Sequence, residues 1–171
     1  MSHPSQQQFC LYVRDRFPEY FKNKTVLDVG SLDINGSNRD LFHDCDYTGL
    51  DLCEGKNVDV VCHLLDYKPD KQFDVIISTE ALEHDRQWAS TLERMNIMLK
   101  SGGLIIITCA TGSRRPHGTA KHNPVDSLKT NDYYCNLDVG DVFFGLSFAL
   151  NFKCFEFQNT ETDLYVWGVK K

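Results

Sequence analysis

Three groups of residues in this 171-residue chain have the types and spacing to do chemistry. The first is built around a glycine turn. Asp28 sits inside the apolar run VLDVG (26–30), Gly30 ends that run, and the turn continues through Ser31, Leu32, Asp33, Ile34, Asn35 and Gly36. A strand running into a glycine turn is where nucleotide-like cofactors often sit, because a residue without a Cβ lets backbone approach a ligand closely. A carboxylate inside a strand needs partners. Asp51 ends a second stretch, DYTGLD (46–51), where it offers a charged acceptor for two donors. The second group lies in STEALEH (78–84). Glu80 and Glu83 read as a solvated pair where a helix begins. His84 reads either as a capping or packing histidine or as a group facing a substrate pocket. The third group is the polar segment 111–137. It carries Arg114, Arg115, Lys121 and Lys129 against Asp126 and Asp132, with His117, His122, Tyr133 and Tyr134. Basic groups at the mouth of a site suit an anion such as a carboxylate, a phosphate or a nucleotide-linked sugar. Either histidine titrates near neutrality and could serve as a base. The plainer alternative is a solvated, flexible loop.

These groups need elements to hold them. Phe9, Val13, Phe17 and Phe21 recur at four-residue steps, one apolar stripe on an N-terminal helical segment within residues 1–23, with Pro18 breaking or kinking its end. TVLDVG (25–30), DYTGLD (46–51), VDVVC (58–62), FDVIIS (73–78) and LIIITCA (104–110) read as strands, and residues 37–44 as a short helix. Trp88, Leu92, Met95 and Leu99 mark one face of a helix over 84–100, and Ser101-Gly102-Gly103 supplies its C-terminal stop. Asp138 is placed to cap a helix carrying Val142, Leu146, Ala149 and Leu150, with Asp141 in its first turn. FKCFEFQ (152–158) and TDLYVWGVK (162–170) alternate and are joined too closely for a parallel crossover. Strands alternating with helices through residue 110 predict an α/β fold with a parallel sheet and one antiparallel strand at the end.

Length and composition bound the rest. With 42% apolar and 25% charged residues, the chain reads as one globular domain over 1–171. No apolar run approaches the ~20 residues of a membrane helix. The N-terminus lacks a basic region followed by an apolar one, so no signal peptide is expected. A net charge of -6 argues against non-specific nucleic-acid binding. The seven cysteines form no CxxC pair and read as free, mostly buried thiols in a reducing cytoplasm, with Cys10, Cys62, Cys109 and Cys154 in apolar or strand-like contexts. Their spacing offers no zinc site, and no metal is expected.

The order of these pieces resembles the class I S-adenosylmethionine-dependent methyltransferases, especially their small type 11 members. VLDVG is similar to the family's first motif. YTGLDL is similar to its second strand, FDVIISTEALEH to its fourth strand and following turn, and LERMNIMLKSGGLIIIT to its helix, Gly-Gly turn and fifth strand. The motifs cover residues 24–110, and element order covers the rest. The resemblance implies a Rossmann-like three-layer αβα sandwich around a mostly parallel seven-stranded sheet with an antiparallel C-terminal strand. It implies S-adenosylmethionine as cofactor. Asp51, followed by Leu52, would take the ribose hydroxyls, and Asp28 would organise the glycine loop and the ammonium end. His63 and Leu64 would meet the adenine, with Asp66 replacing the acid that Cys62 displaces. Ser78 and Thr79 would line the methionine tail. The family often reads Gly-x-Gly-x-Gly after the aspartate. Here only Gly30 and Gly36 remain, so Ser31 or Asp33 would wrap the tail, Asn35 with Gly36 would make the reversal, and Ser37 would cap the next helix.

By the same resemblance, His84, His117 and His122 are the candidate catalytic groups. Arg114, Arg115, Tyr133 and Tyr134 would face a small anionic metabolite or carbohydrate across the 111–137 loop. The acceptor atom is O or N. The Asn- or Asp-Pro-Pro-aromatic motif of enzymes acting on DNA base amines is absent, since residues 78–81 read Ser-Thr-Glu-Ala. The carboxylate cluster of a metal-dependent catechol type does not assemble. A nicotinamide-dependent oxidoreductase would want G-x-G-x-x-G at the first turn, which Gly30-Ser31-Leu32-Asp33 does not fit. A non-catalytic S-adenosylmethionine-binding or regulatory module on the same fold is the standing alternative.

Overall fold

The computed structural model describes residues 4–127 and 129–171. Seven strands form one sheet in the spatial order β3-β2-β1-β4-β5-β7-β6. They are β1 (Thr25–Val29), β2 (Asp46–Asp51), β3 (Val60–Val61), β4 (Phe73–Thr79), β5 (Leu99–Ala110), β6 (Phe152–Asn159) and β7 (Asp163–Lys170). The first five pair in parallel. β7 runs antiparallel to both its neighbours, β5 and β6, as the short link after Asn159 requires. The helices are α1 (Pro4–Arg16), α2 (Trp88–Met98), α3 (Val139–Gly145) and α4 (Phe148–Asn151).

Alternation along the central strands sorts side chains to two faces. Leu27, Ile76, Ile105, Ile107 and Val166 point into a core closed by Leu92, Met95 and Met98 of α2 with Val142, Leu146 and Phe148. Val26, Val75, Ile77, Leu104, Ile106 and Trp167 point into a second core closed by Phe9, Cys10 and Val13 of α1. Two helical layers on one sheet make the three-layer sandwich. α1 is tied to the far end of the sheet by polar groups as well. Gln6 Nε2 donates to Asn38 Oδ1 at 3.1 Å, and Asn38 Nδ2 donates to Thr79 Oγ1 at 2.9 Å.

Local departures from the sequence reading have local causes. α1 stops at Arg16, and Pro18 opens a three-residue 3₁₀ turn, so Phe21 is buried without being helical. Residues 37–44 hold only the 3₁₀ turn Arg39–Leu41, and Ser37 Oγ accepts the Arg39 N–H at 3.0 Å rather than capping a helix. α2 begins at Trp88 because residues Leu82–His84 form their own 3₁₀ turn. Ser101-Gly102-Gly103 lies inside β5, which starts at Leu99. Gly102, at φ +76°, serves an irregular strand start and not a helix cap. Asp138 and Asp141 do form a reciprocal capping box on α3. Ser147 at φ +51° then splits the expected helix, leaving Leu150 exposed on α4. All seven cysteines are free, but only Cys10 and Cys109 are buried; Cys154 is exposed on the edge strand β6. No helix among the described residues is long and apolar enough to cross a membrane.

One contact sets the geometry where the strands end. Gly30 leaves β1 at φ +83°, and a Cβ there would sit 2.3 Å from Ala81 Cβ in the turn after β4. Gly30→Ala therefore combines a left-handed backbone with a clash against the Ala81 methyl group. It is expected to destabilise the fold by more than about 2 kcal/mol in urea unfolding. Adding Ala81→Gly should recover only the steric share, and full recovery would show that the left-handed conformation costs nothing.

Candidate functional site

The carboxyl ends of β1, β2 and β4 surround a cavity of about 340 Å³, a size suited to a small molecule. Its floor is the glycine turn. Gly30 and Ser31 both donate their N–H groups to Leu50 O, at 2.8 and 3.1 Å. Asp51 lines the cavity at the end of β2 with Leu52 and Cys53. Its carboxylate accepts the Leu32 N–H at Oδ2 (3.1 Å) and the Cys53 N–H at Oδ1 (2.9 Å). Each of those oxygens keeps a second lone pair.

The other turn residues stand beneath or behind this surface. Asp28 is buried and does not line the cavity. It accepts the Tyr47 hydroxyl at 2.6 Å on Oδ2, while its Oδ1 finds no partner among the described residues. Burial pushes its carboxyl up to about 6, against the pull of the Tyr47 hydroxyl. Ser31 is buried behind the turn. Asp33 is also off the cavity, and both its oxygens are used within the loop. Oδ1 accepts the Gly36 N–H at 2.7 Å, and Oδ2 pairs with Lys56 at 2.6 Å and Asn57 at 3.3 Å. The Lys56 ammonium holds its carboxyl below the usual range. Gly36 alone makes the reversal, at φ +126°; Asn35 does not turn left-handed.

On the β3 side, Cys62, His63 and Leu64 line the cavity, whereas Asp66 is exposed and off it. Because His63 Nδ1 accepts the Leu65 N–H, its Nε2 carries the proton and donates to Asp85 Oδ1 at 3.2 Å. Asp85 lines the cavity too. It also accepts the Gln87 N–H (2.7 Å) and the Thr91 hydroxyl (2.5 Å), which fixes the start of α2. Sequence reasoning passed over Asp85; a short polar residue just ahead of an apolar helical face is a capping signal that could have found it. From β4, Ser78 lines the cavity and its hydroxyl donates to Val29 O at 2.8 Å. Thr79 lies off it, taken up by Asn38.

Glu80 and Glu83 are not a solvated pair. They are 3% and 0% exposed, because the 111–137 loop folds over them. Cys135 donates its N–H to Glu83 O at 2.9 Å, and the Thr108 hydroxyl donates to Glu80 Oε1 at 2.9 Å. Glu80 sits at φ +54°, a strained backbone at the cavity edge of the kind found at functional sites. Burial, then the nearby Glu80 carboxylate, pushes the Glu83 carboxyl well above the ordinary range. Burial and His117 drive the His84 imidazole down to about 4.

The loop is organised rather than loose. Ser127, Lys129, Thr130, Asp132 and Tyr133 line the cavity, and Lys129 Nζ reaches across to donate to Leu52 O at 2.5 Å. The Arg86 guanidinium stacks over the Tyr133 ring at 4.8 Å and donates to Asp132 at 3.1 Å. Arg114 is not free for an anion, since its Nη1 donates to Asp163 Oδ1 at 2.5 Å. Arg115 is exposed and lines a second, more open hollow with His117. His122 is exposed and off both cavities, held in a tight bridge with Thr119. His84, His117 and Tyr134 come together, with ring centroids 5.1 to 5.4 Å apart.

A family model described as a methyltransferase domain matches residues 2–160. No curated protein sequence matches the chain. Among solved structures, the Burkholderia thailandensis 1,6-didemethyltoxoflavin N1-methyltransferase is similar, with TM-score 0.68 and 17% identity over 97% of this chain and 78% of that one. The N-methyltransferase NodS of Bradyrhizobium japonicum, in complex with S-adenosylhomocysteine, gives 0.63 and 14% over 96% and 86%. The Haemonchus contortus phosphoethanolamine N-methyltransferase 2, with S-adenosylmethionine, gives 0.65 and 15% over 95% and 52%. At these identities the likeness establishes the fold.

Asp28 provides a pH test of the site's foundations. Its folded pKa lies above the ordinary value, so the folded state binds the proton more tightly. Its contribution is fully present below the ordinary value and is lost as pH rises through about 6. Asp28→Asn keeps an acceptor for Tyr47 without the charge. Relative to wild type it should gain up to about 3 kcal/mol above roughly pH 7 and little near pH 4. Urea titrations at the two pH values measure this, and a difference that does not change with pH would exclude burial as the cause.

Proposed function

This chain belongs to the methyltransferase-domain family, and from that premise we propose that it moves the methyl group of S-adenosylmethionine to an N or O atom of a small molecule. The observation that carries this reading is Asp51, a carboxylate held by two backbone N–H groups at the carboxyl end of β2 and facing the cavity. The donor set fits the cofactor. Asp51 offers acceptors to the two ribose hydroxyls. Cys62, His63 and Leu64 offer a half-buried wall to the adenine, and Ser78 with the Gly30 turn offers backbone to the amino-acid tail. Asp85 and Glu80 add negative charge at the cavity wall, suited to a ligand carrying a sulfonium and an ammonium.

When bound, S-adenosylmethionine supplies an electrophilic methyl on a positively charged sulfur. The chain's own work is then positioning and exclusion of water. Lys129 and Tyr133 bring the loop over the cavity, and Ser78 and Asp85 fix the ends of β4 and the start of α2. His84 lines the cavity together with Ser127, Lys129, Thr130, Asp132 and Tyr133 of the loop, and this is the side that would receive the acceptor. Its class is a small anionic metabolite or carbohydrate. In support, Arg86 and Lys129 line the first cavity and Arg115 stands open on the second. Proteins of similar fold include methyltransferases named for 1,6-didemethyltoxoflavin and phosphoethanolamine, both small molecules. Residues 1–171 act as one domain, as the single sheet suggests.

Calorimetry with S-adenosylhomocysteine tests the reading. Wild type should bind with a Kd well below about 1 mM. Asp51→Ala should weaken binding by roughly 10- to 100-fold, the worth of charge-assisted hydrogen bonds, and Asp51→Asn by less. No binding by wild type would sink the methyltransferase reading, and equal affinities in all three proteins would remove Asp51 from the site.

A further inference from the structure

Beside the cofactor cavity lies a polar cluster that shares only His84 with the cavity lining; the methyl-transfer reading does not use Glu83 or His117. Glu83, His84 and His117 each offer a ligand atom, and these atoms lie within 4.8 Å of one another. The residues come from two parts of the chain: the 3₁₀ turn after β4 and the loop after β5.

Four side chains of this cluster have buried polar atoms with no hydrogen-bond partner among the described residues. They are Glu83, through both carboxylate oxygens, His84 at Nδ1, His117 at Nε2 and Tyr134 at its hydroxyl. Glu83 is 0% exposed. The backbone N–H groups of Glu83 itself and of Ala110 stand near its carboxylate, but neither makes a well-formed hydrogen bond, and a buried carboxylate so poorly paired is costly and uncommon in native interiors. Finding several around one point indicates a missing common partner. Carboxylate and imidazole share one kind of partner to which all of them can give a lone pair, a cation.

The neighbours of the imidazoles are arranged for the same purpose. His117 Nδ1 lies 3.3 Å from Arg115 O. Donation to that carbonyl puts the ring proton on Nδ1 and leaves the Nε2 lone pair turned to the cluster, the arrangement usual for metal-bound histidines. Gly118, at φ +59°, lets the loop close on the ring: a Cβ there would stand 2.8 Å from His84 Cε1. Tyr134 packs its ring against both imidazoles at 5.1 and 5.4 Å.

We propose that Glu83, His84 and His117 form a binding site for one divalent transition-metal ion of the zinc class, with Tyr134 at its margin. Two imidazoles and a carboxylate are a zinc-type donor set, which leaves a fourth position for water or a ligand oxygen. The site departs from the sequence reading, in which no metal was expected. The separation of the ligand atoms asks for a small inward shift on binding, which the loop-borne His117 can supply. The inference does not depend on methyl transfer, and its test needs no acceptor.

Chelator-treated full-length protein is titrated with zinc chloride by calorimetry, and with Co²⁺ while the visible spectrum is followed. The expected result is one zinc per chain with a Kd of about 1 µM or tighter, and a tetrahedral Co²⁺ band. His117→Ala and Glu83→Gln should each weaken zinc about 100-fold or more, and His122→Ala should bind as wild type does. Because Glu83→Gln alters a buried group, thermal melting and S-adenosylhomocysteine affinity are recorded alongside; His117→Ala, on the loop, carries the test if Glu83→Gln does not fold. Zinc binding that persists in His117→Ala would belong to the free cysteines and would overturn the proposal. So would the absence of binding in wild type, which would leave the cluster holding only protons and water.

Discussion

The chain's chemistry depends on one small side chain, the Ala81 methyl, seating against a residue that has none. Where β1 and β4 end, Gly30 and Ala81 approach so closely that even a methyl group at position 30 would overlap the alanine. That contact brings the turn after β1 and the turn after β4 to one place. The first turn leads to Asp51 through the Leu32 N–H, and the second leads directly into Glu83 and His84. Ser78 reinforces the join from below, donating across to Val29 O. The cavity is therefore the space left when parallel strands of unequal reach end around one bare glycine, as expected at the carboxyl edge of such a sheet.

A glycine-poor first turn can still be rigid, because carboxylates perform what extra glycines would otherwise allow. Asp51 holds the N–H groups of Leu32 and Cys53. Asp33 holds the Gly36 N–H and anchors Lys56 and Asn57. Charge-assisted bonds of this kind fix a longer loop in one shape. Asp33 is expected from the sequence to touch a ligand, but here both its oxygens are engaged within the loop. Asp28 has the opposite balance. It has one hydroxyl donor and no solvent, so it remains an electrostatic cost held beneath the site.

How much of this the sequence carried depends on the range of the interaction. The apolar runs around Leu27, Ile76 and Ile106 declared their strands because burial on both faces leaves no room for polar residues. The short link after Asn159 declared the antiparallel β7. Asp51 was legible as the polar end of a strand. Glu80 and Glu83 were not, since nothing near them in the chain says that residues some 50 positions later will cover them. Arg114 looked available to a substrate for the same reason. Its partner, Asp163, lies 49 positions away in β7. The expected helix over 37–44 failed in a different way: Ser37 bonded its own neighbour, and the Gln6–Asn38–Thr79 chain fixed the segment as a connector.

The loop over 111–137 joins these themes. It is polar and aperiodic, a pattern that reads as mobile, yet backbone bonds recur along its described residues. Ala120 donates to Asn131 O, Cys135 to Glu83 O and Leu137 to Ala110 O, while Asn136 holds the carbonyls of Gly112 and Arg114. A segment bonded in this way cannot move without exposing Glu83 and His84. The same closure that roofs the cofactor cavity through Lys129 and Tyr133 also brings His117 onto the buried carboxylate. A ligand in the cofactor cavity and a cation on the proposed Glu83–His84–His117 site would therefore both draw on this one loop conformation, so any coupling between them would run through the loop rather than through the sheet.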